Sequence, residues 1–384
     1  MRLFNLKKSH YCLLLFFTVC IFHYPIFAQP AATINSLHFL GSYEIPFALP
    51  YHNTTVGGLS GIDYDAANKR YFFICDDRSA LQPARFYEAT IALSQKGIDS
   101  IQFTGVYQLL QPDGSFYPNN SRDPQHTPDP EAMRYDPLTK TLVWSSEGER
   151  TVDKDNSILA NPELNTISVK GKFENSFLLP PNLTMQAEDK GPRQNGTLEG
   201  ITFADNYTSL FVSVEEPLYE DGPRADTMDN NAYIRILKFN VAGKNNTQQF
   251  AYKLDPVAYP PFPAGGFKIN GVSDILSLGK NKLLVIERSF SSGRLSSTIK
   301  LYITDLNGAS DISKNISLIA DHNFVPATKK LLLNLDDLGI YIDNIEGVTF
   351  GSELSNGHKT LVMVSDNNFN PLEKSQLLLF EIIE

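Results

Sequence analysis

The residues best equipped for chemistry in this sequence are carboxylates that recur in one local pattern. Glu131, Glu199 and Glu346 stand in Pro130-Glu131-Ala132-Met133, Leu198-Glu199-Gly200-Ile201 and Ile345-Glu346-Gly347-Val348; Ser60 and Ser273 hold the same place in Leu59-Ser60-Gly61-Ile62 and Val272-Ser273-Asp274-Ile275. Fourteen to twenty residues further on, each unit has a second acidic cluster: Asp76-Asp77-Arg78, Glu147-Gly148-Glu149-Arg150, Glu215-Glu216, Glu287-Arg288 and Asp366-Asn367-Asn368. Carboxylates crowded together either hold protons unusually tightly or recruit a cation. Oxygen donors with no Cys and few His favour a hard ion such as Ca²⁺ over Zn²⁺ or Cu²⁺. The pattern thus offers Glu131, Glu199, Asp274 and Glu346 as metal ligands, and Glu147, Glu215 and Glu287 as carboxylates of raised pKa that activate water. Arg78, Arg150 and Arg288 follow the acids and either neutralise them or grip an anionic substrate through bidentate bonds. The same acids also suit a structural duty, bonding backbone amides in turns, and Gly61, Gly200 and Gly347 also suit tight strand entry.

Such a constellation needs a scaffold that returns each motif to one place. The second residues of the five motifs fall at 60, 131, 199, 273 and 346, and units of that spacing fill residues 29–384 as one domain. Between motif and acidic cluster lies a β-type run in every unit: Arg70–Cys75, Thr141–Ser146, Leu210–Val214, Lys282–Ile286 and Thr360–Ser365. Third strands are expected at Arg85–Ile91, Asn165–Val169, Tyr233–Phe239, Ile299–Ile303 and Gln376–Ile382, and fourth strands near Ser100–Leu109 and Gln248–Leu254. Up to four antiparallel strands per unit, repeated without helical periodicity, predict an all-β fold, a β-propeller of five four-stranded blades. The last unit ends after its third strand, so Leu37–Ile45 is expected to complete it and close the ring. The alternative is six blades, with 310–340 as a degenerate sixth. In such a ring the start of each inner strand and the end of its neighbour meet on one rim, and the acids would surround one funnel.

The 384 residues are 42% hydrophobic and 20% charged, enough for a sizeable core, and the net charge of −10 argues against a nucleic-acid partner. Arg2, Lys7 and Lys8 precede an apolar run from Tyr11 to about Phe22, and Ile26-Phe27-Ala28 offers a small-residue cleavage point. Residues 1–28 therefore read as a signal peptide whose apolar run is too short to span a bilayer, and the product as secreted or periplasmic and monomeric. Cleavage leaves Cys75 without a disulfide partner, in an apolar stretch that suits a packing thiol; Trp144 reads as core. His126, in a Pro-rich loop before Glu131, reads either as an exposed loop residue or as a base above the funnel. No Gly-x-Ser-x-Gly, Gly-rich phosphate loop or His-Glu-x-x-His is present.

Gly58-Leu59-Ser60-Gly61-Ile62-Asp63-Tyr64-Asp65, Asp129-Pro130-Glu131-Ala132, Leu198-Glu199-Gly200-Ile201, Leu284-Val285-Ile286-Glu287-Arg288 and Asn344-Ile345-Glu346-Gly347-Val348 resemble, in order, the secreted phytase-like proteins described as having esterase-like activity of phytase. The resemblance spans about residues 55–384 and implies hydrolysis of phosphate or carboxylic esters. Two functions are expected from these readings. One is a calcium-assisted hydrolase of a small anionic or ester substrate; the other is a non-catalytic propeller whose loops hold a glycan, peptide or envelope partner.

Overall fold

A computed structural model describes residues 32–154 and 157–384; the signal peptide expected at 1–28 lies outside the described residues. Five four-stranded antiparallel sheets form a five-bladed β-propeller. Blade 1 comprises Leu59–Asp65, Arg70–Cys75, Arg85–Ser94 and Gly97–Gln108; blade 2 comprises Pro130–Asp136, Thr141–Ser146, Glu163–Ser168 and Phe173–Ser176. Blade 3 is Leu198–Ala204, Ser209–Val214, Tyr233–Asn240 and Asn245–Lys253, and blade 4 is Lys268–Gly279, Lys282–Ser291, Thr298–Asp305 and Thr328–Asn334. Blade 5 takes Asn344–Phe350, Thr360–Asp366 and Ser375–Ile383 and is completed by Ser36–Ile45, paired from Ser36 opposite Ile383 to Ile45 opposite Ser375. The sixth-blade alternative fails because 310–340 supplies only the outer strand of blade 4 and the short 3-10 turn Leu335–Leu338.

The second strands read as continuous apolar runs because both their faces are covered by neighbouring blades. Phe72 and Ile74 of blade 1, for example, share a core with Met133, Leu142, Trp144 and Ile167 of blade 2. On the other face Tyr71, Phe73 and Cys75 pack with Val362, Val364 and Leu377 of blade 5. Cys75 is fully buried and its thiol, pushed well up by burial, donates to the Gly57 carbonyl. Outer strands such as Gly97–Gln108 alternate, with one face in solvent. Among the described residues no helix is long and apolar enough to cross a membrane.

At the axis the inner strands approach more closely than side chains allow. A Cβ on Gly200 would lie 2.7 Å from the Cα of Asp274, and one on Gly347 would lie 3.0 Å from the Cα of Gly61. Glycine is therefore required by contact between backbones of neighbouring blades. Just beyond this layer Arg134 of blade 2 donates to the carbonyls of Ile62, Ile275 and Val348 and to the Asp274 carboxylate at 2.8 Å, tying together four blades. The tight layer and this guanidinium divide the channel into two separate mouths. Arg134→Met should lower unfolding stability by about 3 kcal/mol or more, because Asp274 would stay buried without its cation; urea unfolding measures it.

Candidate functional site

The antiparallel pairing of the first two strands in a blade puts the motif and the acidic cluster on the same rim. The backbone does this the same way in three blades. Asp76, Glu147 and Glu215 each donate their N–H to the residue two before the motif acid or serine, Gly58, Asp129 and Thr197 respectively. The acids thereby leave the second strand at equivalent places and turn toward the axis.

Two triads of carboxylates result. In each of Asp129, Glu131, Glu147 and Glu147, Glu199, Glu215, oxygen atoms from all three members lie within 4.8 Å of one another, and Glu147 belongs to both. Glu147 accepts from the Thr197 amide at 2.6 Å. The carboxylates of Glu131 and Glu199 accept no hydrogen bond from any described residue, although Glu199 is buried. Buried Oδ1 of Asp76 and Oε1 of Glu216 on the same rim are also without partners. Acceptors facing acceptors, with no donor between them, form a donor set that a hard cation would satisfy.

Burial, and then the neighbouring negative charges, drive the protonation equilibria upward. Burial with the charges of Glu199, Asp129 and Glu147 raises Glu131 well above the usual carboxylate range. Glu147 and Glu199 rise likewise, by burial and then by the charge of Glu215 on the first and of Glu147 on the second. Glu215 is raised by burial to about 7 against the opposing pull of Arg288, whose Nη2 lies 2.8 Å from it. Glu346 reaches about 8 through burial and the charge of Asp366, and Asp366 itself reaches about 7 through burial. Asp129 is raised by burial to about 6, with Arg78 opposing.

The expected site residues divide accordingly. Glu131, Glu147, Glu199 and Glu215 converge. Glu346 lies outside the triads, held by Asn344 at 2.6 Å and 3.9 Å from Arg288. Arg78 donates to Glu149 at 2.8 Å, stands 3.5 Å from Asp129, and keeps Nε and Nη2 without partners. Arg288 bridges Asn344 and Glu215, with Nε free of partners. Three residues are placed elsewhere. Asp274 sits one residue past the motif position, which Ser273 holds, among Arg134 and the amides of Ile275 and Val348 in the channel plug. Glu287 is tied down by Tyr252, Asn270, Lys329 and the Asp255 amide. Arg150 is buried and pairs with no member of the triads, donating to carbonyls of Gln186, Ala187 and Glu188, with its guanidinium 4.8 Å from the Tyr219 ring. Asp77 caps the amides of Ala80, Leu81 and Gln82 and pairs with Arg85, and His126 is exposed beside Asp123.

The member missed from sequence is Asp129. It stands two residues before Glu131, a spacing that puts both side chains on one face of an extended segment, but Gly58, Thr197, Gly271 and Asn344 occupy its place in the other units.

Comparisons with known proteins give the following. No curated protein matches the sequence. Among solved structures, the chain is similar to an endo-arabinase from Bacteroides thetaiotaomicron (12% identity, 88% of this chain and 98% of that one, TM-score 0.42). It is also similar to a gluconolactonase from Xanthomonas campestris (9% identity, 92% and 99%, TM-score 0.36). A third likeness is to an endo-1,4-beta-xylanase from Bacteroides thetaiotaomicron (8% identity, 84% and 90%, TM-score 0.43). The family model described as Phytase-like, esterase-like activity of phytase, matches residues 54–369, and the chain belongs to that family.

Proposed function

We propose that this chain hydrolyses phosphate or carboxylic esters at the acidic rim with the help of Ca²⁺. The observation that carries the reading is the pair of triads sharing Glu147, in which Glu131 and Glu199 have no protein donor. Asp129, Glu131, Glu147, Glu199 and Glu215 would hold the ion, and Asp274 has no part in it. A bound Ca²⁺ would polarise the ester oxygen as a Lewis acid. Arg78, with two donor nitrogens unpartnered, would bind the anionic part of the substrate and fix its position. Arg288 opposes the rise of Glu215 and limits the repulsion between Glu215 and Glu346. Glu346, oriented by Asn344 and outside both triads, would take the proton from the attacking water.

Metal content by mass spectrometry after purification without chelator, followed by a screen of phosphate and carboxylic esters with and without EDTA, tests this reading. Stoichiometric calcium and EDTA-sensitive turnover are expected. A metal-free protein that gains no turnover with added Ca²⁺ would exclude it, leaving the rim as a binding surface.

A further inference from the structure

The opposite mouth of the channel opens into a cavity of about 850 Å³, the size of a small-molecule site. It is formed by the far ends of the inner strands of all five blades, and Arg134 separates it from the acidic rim. Its chemistry is unlike that of the rim. Asp63, Asp65 and Glu353 face Lys69, Arg134 and Lys359, and outside partners offset both signs: Arg70 stands 3.0 Å from Asp65, Asp274 2.8 Å from Arg134 and Glu384 2.6 Å from Lys359. A balanced wall gives no net attraction to either an anion or a cation.

Aromatic side chains supply much of the remaining wall. Tyr64, Tyr135 and Tyr207 come from three different blades, and Phe203 lies 5.4 Å from Tyr207, centroid to centroid. The hydroxyls of Tyr64 and Tyr207 bond to no described residue. Arg134, though buried, keeps its Nε–H without a partner. Asp63 accepts from the Tyr135 amide at 2.7 Å and the Thr349 hydroxyl at 2.9 Å, which hold its carboxylate in place at the cavity wall. Tyr207 is presented by a turn in which Asp205, Asn206 and Tyr207 all have positive φ, 52°, 54° and 65°. The same turn has positive φ in blades 1, 2 and 4, at Lys69, Lys140 and Lys280, so the hairpin geometry fixes where Tyr207 stands.

Ring faces, unpaired phenols and a fixed carboxylate within a charge-balanced wall suit a ligand with many hydroxyls and no net charge. We infer that this cavity binds a neutral carbohydrate of one or two sugar rings, which lays its C–H faces on the tyrosines and donates hydroxyls to Asp63. The inference is independent of the ester-hydrolase reading, since the two mouths share no residue.

Saturation-transfer NMR on the intact protein, with glucose, galactose, mannose, xylose, cellobiose and maltose, tests it, with glucosamine and glucuronate as charged controls. At least one neutral sugar should bind, and titration should show Tyr207→Ala weakening it by about tenfold. Tyr64→Ala should weaken it similarly and Tyr207→Phe less. Absence of binding by every neutral sugar overturns the inference. So does affinity unchanged in both alanine variants, or a preference for either charged control over glucose.

Discussion

Glu147→Gln is expected to cut calcium-dependent ester turnover by about 10³-fold while making the metal-free protein more stable. The two effects have one cause. Glu147 is the shared corner of both triads, so its charge serves both halves of the ion site and repels every other member. Glutamine keeps an oxygen for the Thr197 amide, so the hydrogen bond that positions the side chain survives. What disappears is an acid that, facing Glu215 and Asp129, must either carry its charge against theirs or keep its proton above the usual carboxylate range. Relief of that repulsion should add on the order of 1 kcal/mol or more to unfolding stability in EDTA. Turnover measured as kcat/KM, together with thermal unfolding in EDTA and in Ca²⁺, checks both signs. Loss of stability in EDTA along with loss of turnover would make Glu147 a structural acid.

In EDTA the protein should become less stable as pH rises from about 5 to about 8, the reverse of the usual trend for carboxylates. Glu215, Glu346 and Asp366 hold protons up to about 7, 8 and 7 in the folded chain, whereas in an unfolded chain they release them near 4. Across that window the native state binds more protons than the unfolded state, and stability falls with pH. For Glu215 alone the gap is on the order of 3 kcal/mol. The three groups act on one another and on shared neighbours, so their effects add to less than three times that. Asp255 carries the opposite sign. Despite burial, its hydrogen bonds from Lys329, Tyr302 and Lys300 bring it down to about 2, so its contribution is lost only in stronger acid. Ca²⁺ should reverse the slope, because binding displaces the rim protons and tightens as pH rises. Urea midpoints at pH 5, 6.5 and 8, with and without the ion, measure this; a flat or rising metal-free curve would show that the rim acids titrate normally.

The five blades were legible because each repeats the same order: an acid or serine at a tight entry, a turn, then an apolar run between two neighbours. That order also reveals Glu131, Glu147, Glu199 and Glu215, whose convergence follows from strand pairing within a blade and ring closure between blades. Asp274 misled because blade 4 places Ser273 at the motif position and the acid one residue later, where the other units have Gly or Ala. Every blade is bulged at this place, so the motif residue faces the rim and the next one, Asp274 in blade 4, faces the plug. Glu287 and Arg150 carry the expected types at the expected places, but their partners lie outside the repeated motif: Tyr252 and Lys329, on the outer strands of blades 3 and 4, for the first, the Gln186–Glu188 carbonyls for the second. Arg134 and the cavity beyond it gave no repeated signal, since their meaning depends on contacts among four or five blades at once.

The ladder between Ser36–Ile45 and Ser375–Ile383 joins residues 330 or more positions apart. Contacts of such sequence separation form late and slowly, because the intervening chain must first be ordered. Until then blade 5 lacks its outer strand, and the apolar edge of Ser375–Ile383 is open to pairing with another chain. Glu346 and Asp366 belong to that blade, so the acidic rim is among the last parts of the molecule to mature during folding. Refolding at high concentration therefore favours aggregation through this single seam, and substitutions along the ladder act on folding yield more than on the finished ring.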